Sequence, residues 1–128
     1  MTSKQILTSE QAPKAIGPYS AGIRTGNLVF TAGQLGVDPT TGEFVSAEIS
    51  GQTRQALKNL QAVLEAGGAS LENVVKATVF LRDMDDFGAM NKVYAEFFTQ
   101  NPPARSAVQV ARLPKDAAVE IEAIAIVG

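Results

Sequence analysis

Cysteine and histidine are both absent from this 128-residue chain. Without cysteine there is no disulfide, no thiolate nucleophile and no sulfur-ligated metal. Without histidine there is no Ser-His-Asp triad and no imidazole-based zinc site. A dominant charge is missing too: 11 Lys and Arg stand against 13 Asp and Glu, a formal net charge of -2. That balance gives no general attraction to phosphate backbones or anionic membranes, so nucleic acid is not the expected partner. No apolar run approaches the roughly 18 residues that a membrane helix needs. The stretch Met1-Thr2-Ser3-Lys4-Gln5 carries no apolar signal core, and the chain is expected to stay in the cytosol.

What is present suits one ordinary domain over 1–128. Hydrophobic residues make up 45% of the chain, enough for a core but with little length left for a second domain. Gly26-Asn27 is a turn signal between candidate strands at Tyr19 to Arg24 and Leu28 to Thr31, which reads as a hairpin. Val37 to Glu43 is rich in turn formers and reads as a loop. Ile49, Thr53, Ala56, Leu57, Leu60, Val63 and Leu64 then recur at helical spacing, and Gly67-Gly68 supplies a stop. Val74 to Leu81 reads as a strand, with Lys76 and Thr78 alternating against Val75, Ala77 and Val79. Asp83, Asp85 and Asp86 mark the start of a second helix whose one face carries Phe87, Met90, Tyr94, Phe97 and Phe98, ending before Asn101-Pro102-Pro103. Ser106 to Ala111 and Ala118 to Val127 close the chain as strands, joined through Leu113 to Asp116 by a hairpin or a wider connection.

That order predicts an α+β domain with two helices packed on one face of a mixed sheet. The last strand points Val119, Ile121, Ala123, Ala125 and Val127 one way and Ile124 and Ile126 the other. A sheet that is apolar on both faces but covered by helices on one must bury the second against something. Further copies of the chain are the simplest partner.

With histidine and cysteine missing, acid/base and anchoring work falls to carboxylates, Lys, Arg, Tyr and hydroxyls. Arg105 opens a strand directly after Pro102-Pro103-Ala104, so its backbone is restricted and its guanidinium can offer two parallel donors to a carboxylate. A surface ion pair at a strand start explains it equally in kind. Glu120 and Glu122 share one side of an otherwise apolar strand; either burial raises a carboxyl pKa there or that end is solvated. Tyr19 is a phenol aimed into a cleft or a cap on a sheet edge, and Asn91 sits one position from the apolar stripe of the second helix. Gly33 and Gly36 do not make a phosphate-binding pattern.

Several segments occur together in one order: Ala15-Ile16-Gly17-Pro18-Tyr19-Ser20, Phe30-Thr31-Ala32-Gly33-Gln34, Pro103-Ala104-Arg105-Ser106, Val110-Ala111-Arg112-Leu113-Pro114-Lys115-Asp116 and Val119-Glu120-Ile121-Glu122-Ala123. In these segments the chain resembles the RidA (YjgF) family of imine deaminases over nearly its whole length. The resemblance implies a chorismate-mutase-like homotrimer with sheets inward, helices outward and three clefts between subunits. It implies hydrolysis of reactive 2-imino and enamine acids, such as 2-aminoacrylate, to 2-oxo acids and ammonia. By the same resemblance Arg105 binds the substrate carboxylate, Glu120 positions water at the imine carbon, Tyr19 and Asn91 line the cleft, and Gly33 and Ala107 offer backbone hydrogen bonds. No metal or organic cofactor is implied. Pyridoxal-phosphate enzymes acting on serine or threonine, which release such substrates, are the implied metabolic neighbours.

Two positions depart from the pattern. Ala107 stands where many bacterial members have cysteine, and Ala32 where some have serine. Thiol-dependent or redox-triggered chaperone behaviour is not expected here. Three rival readings remain at this stage: an endoribonuclease or translation inhibitor, a chaperone independent of Arg105, and a non-catalytic module that holds small carboxylates in the same cleft.

Overall fold

The computed structural model describes residues 3–128; Met1 and Thr2, at the head of the stretch read above for a signal core, lie outside the described residues. Seven strands form among those residues: β1 (Gln5–Leu7), β2 (Gly22–Thr25), β3 (Leu28–Thr31), β4 (Gln34–Leu35), β5 (Val74–Leu81), β6 (Ala104–Gln109) and β7 (Val119–Ile126). Two α-helices, α1 (Ile49–Ala66) and α2 (Phe87–Phe97), complete an α+β architecture. The strands make one sheet in the order β1-β2-β3-β7-β5-β6, and β4 continues past β3 along the same flank of β7. Every pairing is antiparallel except β5 with β6. That one parallel pair needs a crossover, and α2 supplies it.

The 3.6-residue spacing read in the sequence is what packs α1: Ala56, Leu57, Leu60 and Leu64 are buried in one cluster. They meet Val29, Ala77, Val79, Leu81, Val119, Ile121, Ala123 and Ala125 from the sheet, and Met90, Val93 and Tyr94 from α2. Each fully buried large aliphatic side chain contributes about 1.5–3 kcal/mol relative to exposure, so this layer between helices and sheet dominates the fold. The opposite sheet face carries Phe30, Val108 and Ile126 exposed, with Phe80 and Ile124 half-covered. The helix-free apolar face anticipated from the last strand is therefore present.

Two buried amides tie α1 to the segments beside β7. Asn59 Nδ2 donates to the carbonyls of Leu35 at 3.0 Å and Val37 at 2.9 Å. Gln52 Nε2 donates to the Ser46 carbonyl at 3.0 Å, and its Oε1 accepts from Ala118 N at 2.8 Å. Buried backbone groups that lack ladder partners need such substitutes.

Some expectations shift. The strand expected from Tyr19 starts only at Gly22, because Gly17 adopts a φ of 117° and Tyr19 N turns back to the Gly17 carbonyl. Val75 was expected to face the core with Ala77 and Val79, but a bulge between Val74 and Lys76 turns Val75 outward and lets Val74 fill the core position. The strand expected over Ser106 to Ala111 runs instead over Ala104–Gln109, the stretch with parallel partners on β5. The connection through Leu113 to Asp116 is not a hairpin, since β5 lies between β6 and β7. Ahead of α2, a short 3-10 turn over Met84–Asp86 is capped by the Asp83 carboxylate, which accepts from Asp85 N at 2.9 Å. Among the described residues no helix is long and apolar enough to cross a membrane.

Candidate active site

The residues singled out in the sequence fall into two groups on opposite faces of the sheet. Arg105 pairs with Ala77 across β5 and β6, and Ala77 faces the helices. Directly paired neighbours point their side chains to the same side, so Arg105 projects toward α2. Ala107, paired with core-facing Val79, lies on that side too and packs against the core. Glu120 alternates with buried Val119 and Ile121 and pairs with Phe80, so it projects from the helix-free face.

The first group forms at the edge strand β6, where α2 crosses it. The Arg105 Nη1 donates to Asn91 Oδ1 at 2.7 Å, and its guanidinium carbon lies 4.6 Å from the Tyr94 ring centre and 5.4 Å from that of Phe87. No carboxylate pairs with Arg105 among the described residues, so the surface ion pair considered for it does not form. Asn91 is thus not merely a solvated helix position: Phe87, Asn91 and Tyr94, spaced four and three apart, share one face of α2. A cleft of about 380 Å³ opens beside them, lined by Asn91, Tyr94, Phe98, Pro102, Pro103 and Arg105. Burial holds the Tyr94 phenol above its ordinary pKa against the pull of the Arg105 charge, so the ring stays neutral at physiological pH. Tyr94 was legible in the sequence only as part of an apolar stripe; its spacing to Asn91 was the signal for more.

The second group centres on Glu120. Between β3 and β4 the pairing to β7 slips by one residue, from Phe30 with Ile124 to Gln34 with Ile121. The Ala32-Gly33 pair sits in that irregularity, and a Cβ on Gly33 would land on the Glu120 carboxyl. Glycine here is what lets the carboxyl lie against the backbone. Burial first, and the neighbouring Glu122 charge second, push the Glu120 carboxyl above the usual carboxylate range. Tyr19 lies two residues before Ala21, whose carbonyl accepts from Ala32 N at 2.8 Å. Tyr19 is exposed, and its hydroxyl accepts from Ile16 N at 3.3 Å.

Within one chain, then, the arginine group and the acidic group do not share a cavity. Among the described residues no cluster of three Asp or Glu could hold a metal ion.

The family model described as Endoribonuclease L-PSP matches residues 9–127. The chain belongs to this family, also called YjgF/RidA. A RutC family protein of Pyrococcus horikoshii is 57% identical to this RidA-family chain over 122 residues, covering 95% of the chain and 97% of the relative. A 2-iminobutanoate/2-iminopropanoate deaminase of Escherichia coli K12 is 51% identical over 127 residues, covering 97% and 98%. The crystal structure of the YjgF gene product from E. coli superposes with a TM-score of 0.91 at 49% identity, covering 95% of this chain and 98% of that one. Both residue groups lie between residues 9 and 127.

Proposed function

We propose that the protein is a hydrolytic deaminase of 2-imino and enamine acids, working at clefts between subunits of a chorismate-mutase-like homotrimer. The observation that carries this reading is the division of the site. Arg105 stands with open donors at one edge of the sheet, and Glu120 with a raised pKa on the opposite face, so only a second copy of the chain brings the two together. The helix-free apolar face supplies the surface for that assembly. The RidA-family relative named as a 2-iminobutanoate/2-iminopropanoate deaminase supports the substrate class.

In this reading the Arg105 guanidinium grips the substrate carboxylate through paired donors and fixes the imine carbon. Gly33 N and Ala107 N offer further donors, and Tyr19 and Asn91 border the cleft. Glu120, ionised, takes a proton from water as the water oxygen bonds to C2 of the protonated imine, giving a carbinolamine. Glu120 passes that proton to the nitrogen and takes up the hydroxyl proton as the C–N bond breaks, so that a 2-oxo acid and ammonia leave. An enamine such as 2-aminoacrylate enters by tautomerising to the imine.

The test generates 2-aminoacrylate in situ with a serine dehydratase and follows pyruvate release. The wild-type protein accelerates release and Arg105→Ala does not. No acceleration by either protein, with saturable binding of pyruvate, establishes a carboxylate-binding module instead. The family description also names an endoribonuclease. With no histidine and a net charge of -2, RNA cleavage would have to be salt-sensitive and carried by the same arginine to displace the deaminase reading.

A further inference from the structure

We propose that the Tyr94 ring is the seat that fixes the plane of the Arg105 guanidinium, making Tyr94 a positioning residue for carboxylate capture. The inference rests on the reading of Arg105 as the carboxylate anchor and goes one step behind it. An arginine at a strand edge has four rotatable side-chain bonds, and a free guanidinium gives up rotamer freedom when it must hold one orientation. Three contacts already hold this one. Asn91 Oδ1 accepts from Nη1 at 2.7 Å, and the faces of Tyr94 and Phe87 lie 4.6 Å and 5.4 Å from the guanidinium carbon. Of the guanidinium's five N–H donors only that one is engaged by a described side chain, leaving the rest for a ligand in the cleft.

The seat is itself rigid. Tyr94 is 5% exposed, and its ring packs on Phe98 with centroids 4.5 Å apart and planes inclined at 32°. Phe98, Tyr94 and Arg105 therefore form a continuous stack running from the core to the cleft, and all three line it. The Tyr94 hydroxyl is buried and meets no hydrogen-bond partner within 3.5 Å among the described residues, yet it lies near enough to the Arg105 guanidinium to be drawn by it, so the phenylalanine variant is what separates the ring from the hydroxyl. A ring that only filled the core would gain nothing from a cation on its face, whereas a neutral aromatic face holds a guanidinium by its quadrupole.

The experiment compares Tyr94→Leu and Tyr94→Phe with wild type and Arg105→Ala in the assembled protein. KM and kcat for 2-oxo acid release are resolved separately, and the Arg105 Nε–Hε resonance is followed in 15N-labelled protein. Tyr94→Leu is expected to raise KM by about 3- to 30-fold with kcat nearly unchanged. It should also move the Arg105 Hε signal downfield as the ring current is lost. Tyr94→Phe, which keeps the face, restores both readouts. The proposal is overturned if Tyr94→Leu leaves KM or the Hε resonance at the wild-type value, or if Tyr94→Phe is as impaired as Tyr94→Leu. If wild type shows no deamination, the deaminase reading fails on its own, and the Hε resonance still decides whether the seat exists.

Discussion

The Glu120 carboxyl occupies the volume that a side chain on Gly33 would need. Substituting Gly33→Ala therefore forces the carboxyl off its position without touching the helix-facing core. Displacing a reacting group by about 1 Å is enough to cost on the order of 100-fold in rate. We expect Gly33→Ala to lose at least tenfold in kcat/KM while keeping its circular dichroism and mass in solution. Activity within twofold of wild type would remove Glu120 from the chemistry.

In the proposed mechanism Glu120 has to be ionised to accept the proton of water, and its carboxyl titrates above the ordinary range because of burial and then Glu122. The acid limb of kcat/KM should therefore lie above the pH at which an exposed glutamate titrates. Glu122→Gln removes only the second cause, so the limb moves toward lower pH without reaching the ordinary value. A limb that stays put in Glu122→Gln would assign it to another group.

The same shift has a consequence for stability. A carboxyl whose folded pKa is raised binds more protons folded than unfolded, so its stabilising contribution is present below the ordinary value. It is lost as pH rises through the raised one. Glu120→Gln should then unfold at higher denaturant concentration than wild type at neutral pH. The gap should close in acid, as read from midpoints across a pH series.

Asn91 accepts from Arg105 with a neutral oxygen. Asn91→Asp would place a full negative charge at that 2.7 Å contact and neutralise the guanidinium toward any incoming anion. We predict that Asn91→Asp weakens pyruvate binding more than Asn91→Ala does, by calorimetry. Equal losses would mean that Asn91 matters only as a spacer.

On the helix-free face, Ile124→Asp puts a charge beside Phe30 on β3 and Ile126 on its own strand. If that face is where copies meet, sedimentation should show single chains in place of the assembled form, with the secondary structure intact and the activity gone. Assembled, active Ile124→Asp protein would place the interface elsewhere.

The elements that bury apolar stripes were legible in the sequence, because α1 and β7 each repeat one period for eight residues or more and β5 does so from Lys76 to Leu81. The short strands β1 and β4 were not: two or three residues carry no measurable period, and they exist through their partners β2 and β7. The bulge at Val75 was hidden for a related reason, since Val74 and Val75 are the same residue type and only the register chooses between them. Arg105 stood out as a guanidinium opening a strand after Pro102-Pro103-Ala104, and Glu120 as a carboxyl in an otherwise apolar strand. That they point to opposite sides could not be read along the chain, because comparing two strands requires the pairing through β5.

If copies meet as proposed, the opposed faces also mean that the unit of inheritance and the unit of catalysis differ: each gene copy then specifies two halves of different sites, and neither half works alone. Arg105→Ala and Glu120→Gln chains, each inactive when pure, should complement when unfolded and refolded together. Random mixing then joins an intact arginine half to an intact glutamate half at about one interface in four. In a cell carrying both alleles, two defective genes would yield one working enzyme, and a single allele defective in one half would lower activity only in proportion to its share of the protein.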